Sequence, residues 1–158
     1  RSKIYKLNSA PKAFEELKEN PNSILIFIEY EKEETEILDG TGKRVILLDD
    51  EEELCKLLSR VFRNFNYDVF TTDDGSEALQ KINDEKYDLI ITDIQMPKMT
   101  GTEFLNNLST INNKNIKVVV LTGRTKKEDL KDYDFDEFVC KPFDVYKLME
   151  KVQNLLEI

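Results

Sequence analysis

The stretch Asp88-Leu-Ile-Ile-Thr-Asp93-Ile-Gln-Met-Pro97-Lys-Met-Thr-Gly101 decides how this chain folds. A short apolar run reads as a strand covered on both faces. It closes on a carboxylate, and a Pro-and-Gly loop follows at once. The same grammar recurs: Val45-Ile-Leu-Leu closes on Asp49 and Asp50, Val118-Val-Val-Leu on Thr122, and Phe138-Val-Cys on Lys141-Pro142. Strands are expected over 45–49, 67–71, 89–93, 117–122 and 137–140. Between them the apolar period turns helical. Leu54, Leu57, Leu58, Val61, Phe62 and Phe65 form one stripe of an amphipathic helix, and Val145, Leu148, Met149, Val152 and Leu155 repeat it. Two more helices are expected over 76–82 and 102–111, and a short, weak one over 126–132. Five βα units in succession imply an α/β fold, a doubly wound three-layer sandwich around a parallel sheet. In such a sheet the strand ends share one edge, and ligands bind there.

Composition narrows the function. A net charge of −9 argues against nucleic-acid binding, which needs a basic face. No apolar run approaches the roughly 20 residues of a membrane span, and no signal-peptide pattern opens the chain, so a cytoplasmic location is expected. Cys55 and Cys140 have neither CxxC spacing nor a neighbouring histidine, and are expected as free thiols. The chain has no histidine at all. That removes Ser-His and Cys-His nucleophiles and the usual zinc sites. It also means that a phosphohistidine, if one is involved, sits on another polypeptide.

Three carboxylates, a hydroxyl and an ammonium at one sheet edge suit a divalent cation and a phosphoryl group. A carboxylate that attacks phosphorus repels the incoming anion, so a cation must neutralise charge and clamp an oxygen. Mg2+ takes oxygen ligands, a few carboxylates with waters and phosphate. Asp49, Asp50 and Asp93 meet that demand. Lys141 can pair with Asp93 at rest and with phosphoryl oxygens afterwards, and Thr122 can donate to the phosphoryl group.

These residues, in this order at four strand ends, resemble the receiver domain of response regulators in two-component phosphorelays. The resemblance covers 43–158 and implies a flavodoxin-like five-stranded sheet of order 2-1-3-4-5. It implies Asp93 as phosphoacceptor, Asp50 as a direct Mg2+ ligand, Asp49 as a ligand through water, and Gln95 as donor of its backbone carbonyl. It further implies Thr122 as the switch hydroxyl, Lys141 as the phosphate-pairing lysine before a cis Pro142, and Phe138 as the switch aromatic. The phosphoryl group would come from a sensor histidine kinase or a histidine phosphotransfer protein. Such a chain is a signalling receiver rather than an enzyme, catalysing only its own phosphoryl transfer and a slow autodephosphorylation.

The chain also departs from the pattern. Between Thr122 and Lys141 it is about one helical turn short, and it reads Asp132-Tyr-Asp-Phe-Asp136 where a Gly-Ala stretch is usual. A short or irregular fourth helix and a monomer are therefore expected. Residues 1–42 read as an N-terminal extension or the tail of an upstream domain, with strands over 4–7 and 24–30 and a helix over 11–18. An opening Arg instead of Met suggests a longer polypeptide, and no output segment is readable beyond the fifth helix. Two alternatives stand beside the receiver reading. A pseudo-receiver that binds partners without phosphorylation would have lost an acid, Thr122 or Lys141. A Mg2+-dependent phosphatase with an aspartyl nucleophile would need an acid two residues after Asp93, where Gln95 stands. Leu38-Asp-Gly-Thr41 resembles the haloacid-dehalogenase motif, but Ile37 occupies the nucleophile's place.

Overall fold

The computed structural model describes residues 3–6, 25–28, 39–111 and 115–158. The chain divides into two units, Arg1–Leu38 and Asp39–Ile158. In the first, β1 (Lys3–Lys6) and β2 (Leu25–Ile28) pair in parallel, with Lys3 opposite Leu25. They fall within or beside the strands expected over 4–7 and 24–30; the helix expected over 11–18 lies outside the described residues.

The second unit runs β3 (Arg44–Leu48), α1 (Glu52–Asn64), β4 (Asp68–Thr72), α2 (Gly75–Asp84), β5 (Leu89–Thr92), α3 (Gly101–Thr110), β6 (Lys117–Thr122), a 3-10 turn (Lys127–Leu130), β7 (Glu137–Cys140) and α4 (Val145–Leu156). Its five strands are all parallel, in the order β4-β3-β5-β6-β7. Counted from β3, that is 2-1-3-4-5. The chain adds strands on one side of β3 and then, after crossing over, on the other, so β3 and β5 are neighbours at the switch point.

Alternation along the strands divides the core into two layers. Ile46, Leu48, Ile90, Val118 and Val120 pack with Ala78 and Ile82 of α2 and with Phe104, Leu105 and Leu108 of α3. The intervening Val45, Leu47, Leu89, Ile91, Val119 and Leu121 are equally buried. Right-handed crossovers put α1 on that second face. There Leu58, Val61 and Phe62 are buried, but Leu57 is 44% exposed and does not belong to the stripe expected of it. The buried arc centres on Cys55, Leu58, Ser59 and Phe62. At 3.6 residues per turn Leu57 lies about 100° from Leu58, outside it.

Side chains set the helix starts. Asp74 accepts from the Ser76 N–H, Asp144 from those of Tyr146 and Lys147, and Thr100 forms a reciprocal capping box with Glu103. Each cap contributes about 1 kcal/mol. The segment expected as a weak helix over 126–132 is reduced to the single 3-10 turn, anchored by the buried Leu130. After it, Tyr133, Phe135 and Phe138 lie half-buried against the core.

Candidate functional site

Sheet register brings the acids together. Leu48 of β3 is opposite Thr92 of β5, so Asp49 and Asp93, one residue further on each strand, emerge side by side. The Asp93 N–H donates to the Leu48 carbonyl (3.0 Å) and the Asp49 N–H to that of Thr72 (3.2 Å). Both side chains are bound in the same way. Asp49 Oδ1 accepts from the Glu51 N–H (2.8 Å), and Asp93 Oδ1 from the Gln95 N–H (3.0 Å). Their remaining oxygens share one ammonium: Lys141 Nζ lies 2.7 Å from Asp49 Oδ2 and 2.8 Å from Asp93 Oδ2. Both aspartates are 7% exposed. Asp50 is exposed, yet it brings an oxygen within 4.8 Å of those of Asp49 and Asp93.

Lys141 reaches this place from β7. Thr122 is opposite Cys140, and the Lys141 N–H donates to the Thr122 carbonyl (2.9 Å). The Lys141–Pro142 peptide is cis, as the resemblance implies. Thr122 is 1% exposed, and its hydroxyl has no hydrogen-bond partner among the described residues. A buried hydroxyl without a partner carries a desolvation cost of about 1–3 kcal/mol, which a ligand oxygen would relieve.

Burial raises the pKa of Asp49, and the hydrogen bond from Lys141 only partly offsets it. Burial acts on Lys141 in the opposite sense, toward neutrality, but the bonds to Asp49, Asp93 and Glu51 outweigh it and hold the ammonium above its usual range. The contact thus opposes the effect of burial on both partners, fully for Lys141 and only in part for Asp49. Cys55 Sγ touches the Asp49 carbonyl at 3.5 Å, and burial followed by the charge of Asp49 pushes its pKa up to about 11. Both cysteines are free.

Asp49, Asp50, Asp93, Thr122 and Lys141 stand at this edge with Gln95 in the loop beside it, whereas Phe138 lies within β7 opposite Val120. Gln95 is exposed, with its N–H committed to Asp93. Phe138 is half-buried with its ring 6.3 Å from that of Phe135. Sequence reasoning missed two participants. Glu51, at the N-cap of α1, accepts no capping bond through its side chain, which lies 2.6 Å from Lys141 Nζ. Gly101 was read as a loop residue, but a Cβ there would lie 2.4 Å from the Asp93 carbonyl oxygen. Its N–H donates to the Ile94 carbonyl (2.8 Å), closing the loop that carries Asp93. A glycine following Asp93 and a proline was the available signal; for Glu51 there was none.

The response regulator receiver domain profile matches residues 45–153. The chain belongs to that family. It is 34% identical over 116 residues to the transcriptional regulatory protein CpxR homolog of Haemophilus influenzae, with 72% of this chain and 50% of that protein covered. The receiver thus spans about half the length of the curated relatives it matches. Among solved structures it is 35% identical to the response regulator TrrA of Thermotoga maritima in complex with Mg2+ and BeF, at a TM-score of 0.65 over 72% of this chain and 98% of that one. It is 30% identical to the chemotaxis protein CheY4 of Vibrio cholerae, with the same TM-score and coverage. The receiver is a signalling module of two-component systems, and no helix among its described residues is long and apolar enough to cross a membrane.

Proposed function

We propose that this receiver takes a phosphoryl group from a partner's phosphohistidine onto the Asp93 carboxylate, with Mg2+, and changes conformation in response. The observation that carries the reading is the unbalanced charge at the sheet edge: three carboxylates on one ammonium, a fourth, Asp50, beside two of them, and an orphan hydroxyl next to the cluster. TrrA, a relative solved with Mg2+ and BeF, adds support.

The donor set fits Mg2+: hard oxygen ligands, few protein carboxylates and an open side toward solvent. Asp50 would bind directly, Asp49 through water, with Asp93 and the Gln95 carbonyl completing the protein's share. When bound, the ion neutralises carboxylate charge and polarises phosphoryl oxygens. The chain's own residues do the rest. An Asp93 oxygen attacks phosphorus, an O–P bond forms, the N–P bond to the donor imidazole breaks, and the freed nitrogen takes a proton. Lys141 holds Asp93 at rest and then a phosphoryl oxygen. Thr122 donates its hydroxyl to another, and its movement frees space for Phe138 to turn inward. Hydrolysis of the acyl phosphate, slow and promoted by the same groups, resets the switch.

The partner would be a sensor histidine kinase or a histidine phosphotransfer protein, and the setting cytoplasmic. One 3-10 turn where a helix is usual leaves little surface for a symmetric pair, so the receiver acts as a monomer. A phosphorylation-dependent dimer in sedimentation would contradict that. Intact-mass measurement after incubation with acetyl phosphate and Mg2+ tests the main reading: one phosphate per chain is expected, and no mass gain would refute it.

A further inference from the structure

The Lys141 ammonium has three N–H donors, and three carboxylates occupy them: Asp49 at 2.7 Å, Glu51 at 2.6 Å and Asp93 at 2.8 Å. None is left for an incoming phosphoryl oxygen while Asp93 is still a free carboxylate, so one acceptor must let go during the approach that precedes transfer. The side chains of Asp49 and Asp93 are 7% and 9% exposed, and either would be stranded as a buried charge without its cation. The Glu51 side chain is 60% exposed, so water replaces the ammonium there at little cost. Its position is also fixed from behind. Glu51 stands at the N-cap of α1, its N–H bound to Asp49, and its side chain crosses to the β7–α4 turn instead of capping its own helix.

We propose that Glu51 is a displaceable latch on Lys141, a positioning residue that occupies the third donor at rest and yields it to the phosphoryl oxygen during transfer. The inference rests on Asp93 being the phosphoacceptor. It has a kinetic consequence. A contact must break before the phosphoryl group gains one. Glu51 therefore slows uptake and reduces spontaneous charging.

The test is the initial rate of mass gain with acetyl phosphate and Mg2+. Glu51→Gln removes the charge from an exposed position without removing the side chain. Its uptake should be about two- to fivefold faster, the range set by an exposed ion pair. Glu53→Gln, which removes an equal charge paired with Lys56 on the same helix, should match wild type. In a Lys141→Ala background the added Glu51→Gln change should bring no gain, because no ammonium remains to compete for. An unchanged or slower Glu51→Gln rate with labelled wild type overturns the latch alone. A full gain persisting without Lys141 also overturns it, since charge by itself would then account for the effect. No labelling of wild type overturns the phosphoacceptor reading and the latch with it.

Discussion

At the rim where the strands enter the sheet, Arg44 donates to Asp68 (3.0 Å), Glu85 (2.6 Å) and the Lys86 carbonyl (3.1 Å), and its guanidinium lies 4.3 Å from the Tyr87 ring centre. Lys81 pairs with the same Glu85, and Lys43 lies 3.9 Å from Asp88. Three cations there answer three carboxylates, and most of the charge is open to water. At the rim where the strands leave, Lys141 answers Asp49, Glu51 and Asp93, Asp50 stands beside two of them with no cation of its own among the described residues, and Asp49 and Asp93 are buried. The residue types are alike, but the balance differs. A matched, wet network contributes modest stability and has no unmet demand. An unmatched, dry one is held in place by the surrounding fold and lowers its free energy by taking up a cation.

The largest effect should separate the rims by chemistry. Asp93→Asn should abolish the mass gain with acetyl phosphate and Mg2+, whereas Asp88→Asn at the entry rim should label as wild type. Undiminished labelling of Asp93→Asn would put the nucleophile elsewhere. Next in size is metal affinity. Asp50→Asn removes a charged ligand from an exposed position and should weaken Mg2+ binding at least about tenfold in a calorimetric titration. Equal affinity would reduce the acid cluster to a helix-end feature.

The rims should also differ in what metal does for stability. Lys141→Ala leaves Asp49 and Asp93 facing each other without their cation, and should cost about 3 kcal/mol in metal-free buffer. Added Mg2+ should restore most of it, because the ion supplies the missing charge. Arg44→Ala loses packing on Tyr87 and exposed ion pairs, about 1–2 kcal/mol. Mg2+ should recover none of that. Equal recovery in both variants, read from thermal melts, would erase the distinction between the rims.

The sheet and the edge were legible because their signals are local and repeated. Buried runs such as Val45-Ile-Leu-Leu and Leu89-Ile-Ile each close on an acid, and a parallel sheet aligns such ends. What failed was finer geometry. Leu57 sits among apolar neighbours in sequence, but the helix turns it to solvent. The strands before Asp49 and Asp93 end one residue earlier than expected, where each aspartate's side chain accepts from the N–H two residues on and turns the chain. Glu51 was illegible for a different reason. Its partner Lys141 is 90 positions away in sequence, and the contact exists only once β3 and β7 belong to the same sheet.

The smallest effect tests whether an orphan hydroxyl signifies function by itself. Tyr67, just before β4, is 3% exposed, and like Thr122 it has a buried hydroxyl without a partner among the described residues. Its ring meets Phe62 edge-on at 5.1 Å and lies so close to Gly40 that a Cβ there would sit 2.2 Å from a ring carbon. Unlike Thr122, it is not beside an unbalanced charge cluster, so its missing hydrogen bond is simply a cost of filling the core. Tyr67→Phe keeps the ring and should raise stability by up to about 1 kcal/mol at pH 7. Burial, then the charge of Asp39, pushes the Tyr67 pKa up to about 12, against about 10 in the unfolded chain. The folded state therefore holds its proton where the unfolded state loses it. The stability tied to that proton is complete below about pH 10 and is lost as pH rises toward 12. Cys55, pushed up to about 11, adds a separate decline from about pH 9 that the variant keeps. The advantage of Tyr67→Phe over wild type in urea melts should thus be larger at pH 11 than at pH 7. A variant less stable than wild type would mean that the hydroxyl has a partner in solution, and the two orphan hydroxyls would no longer be comparable.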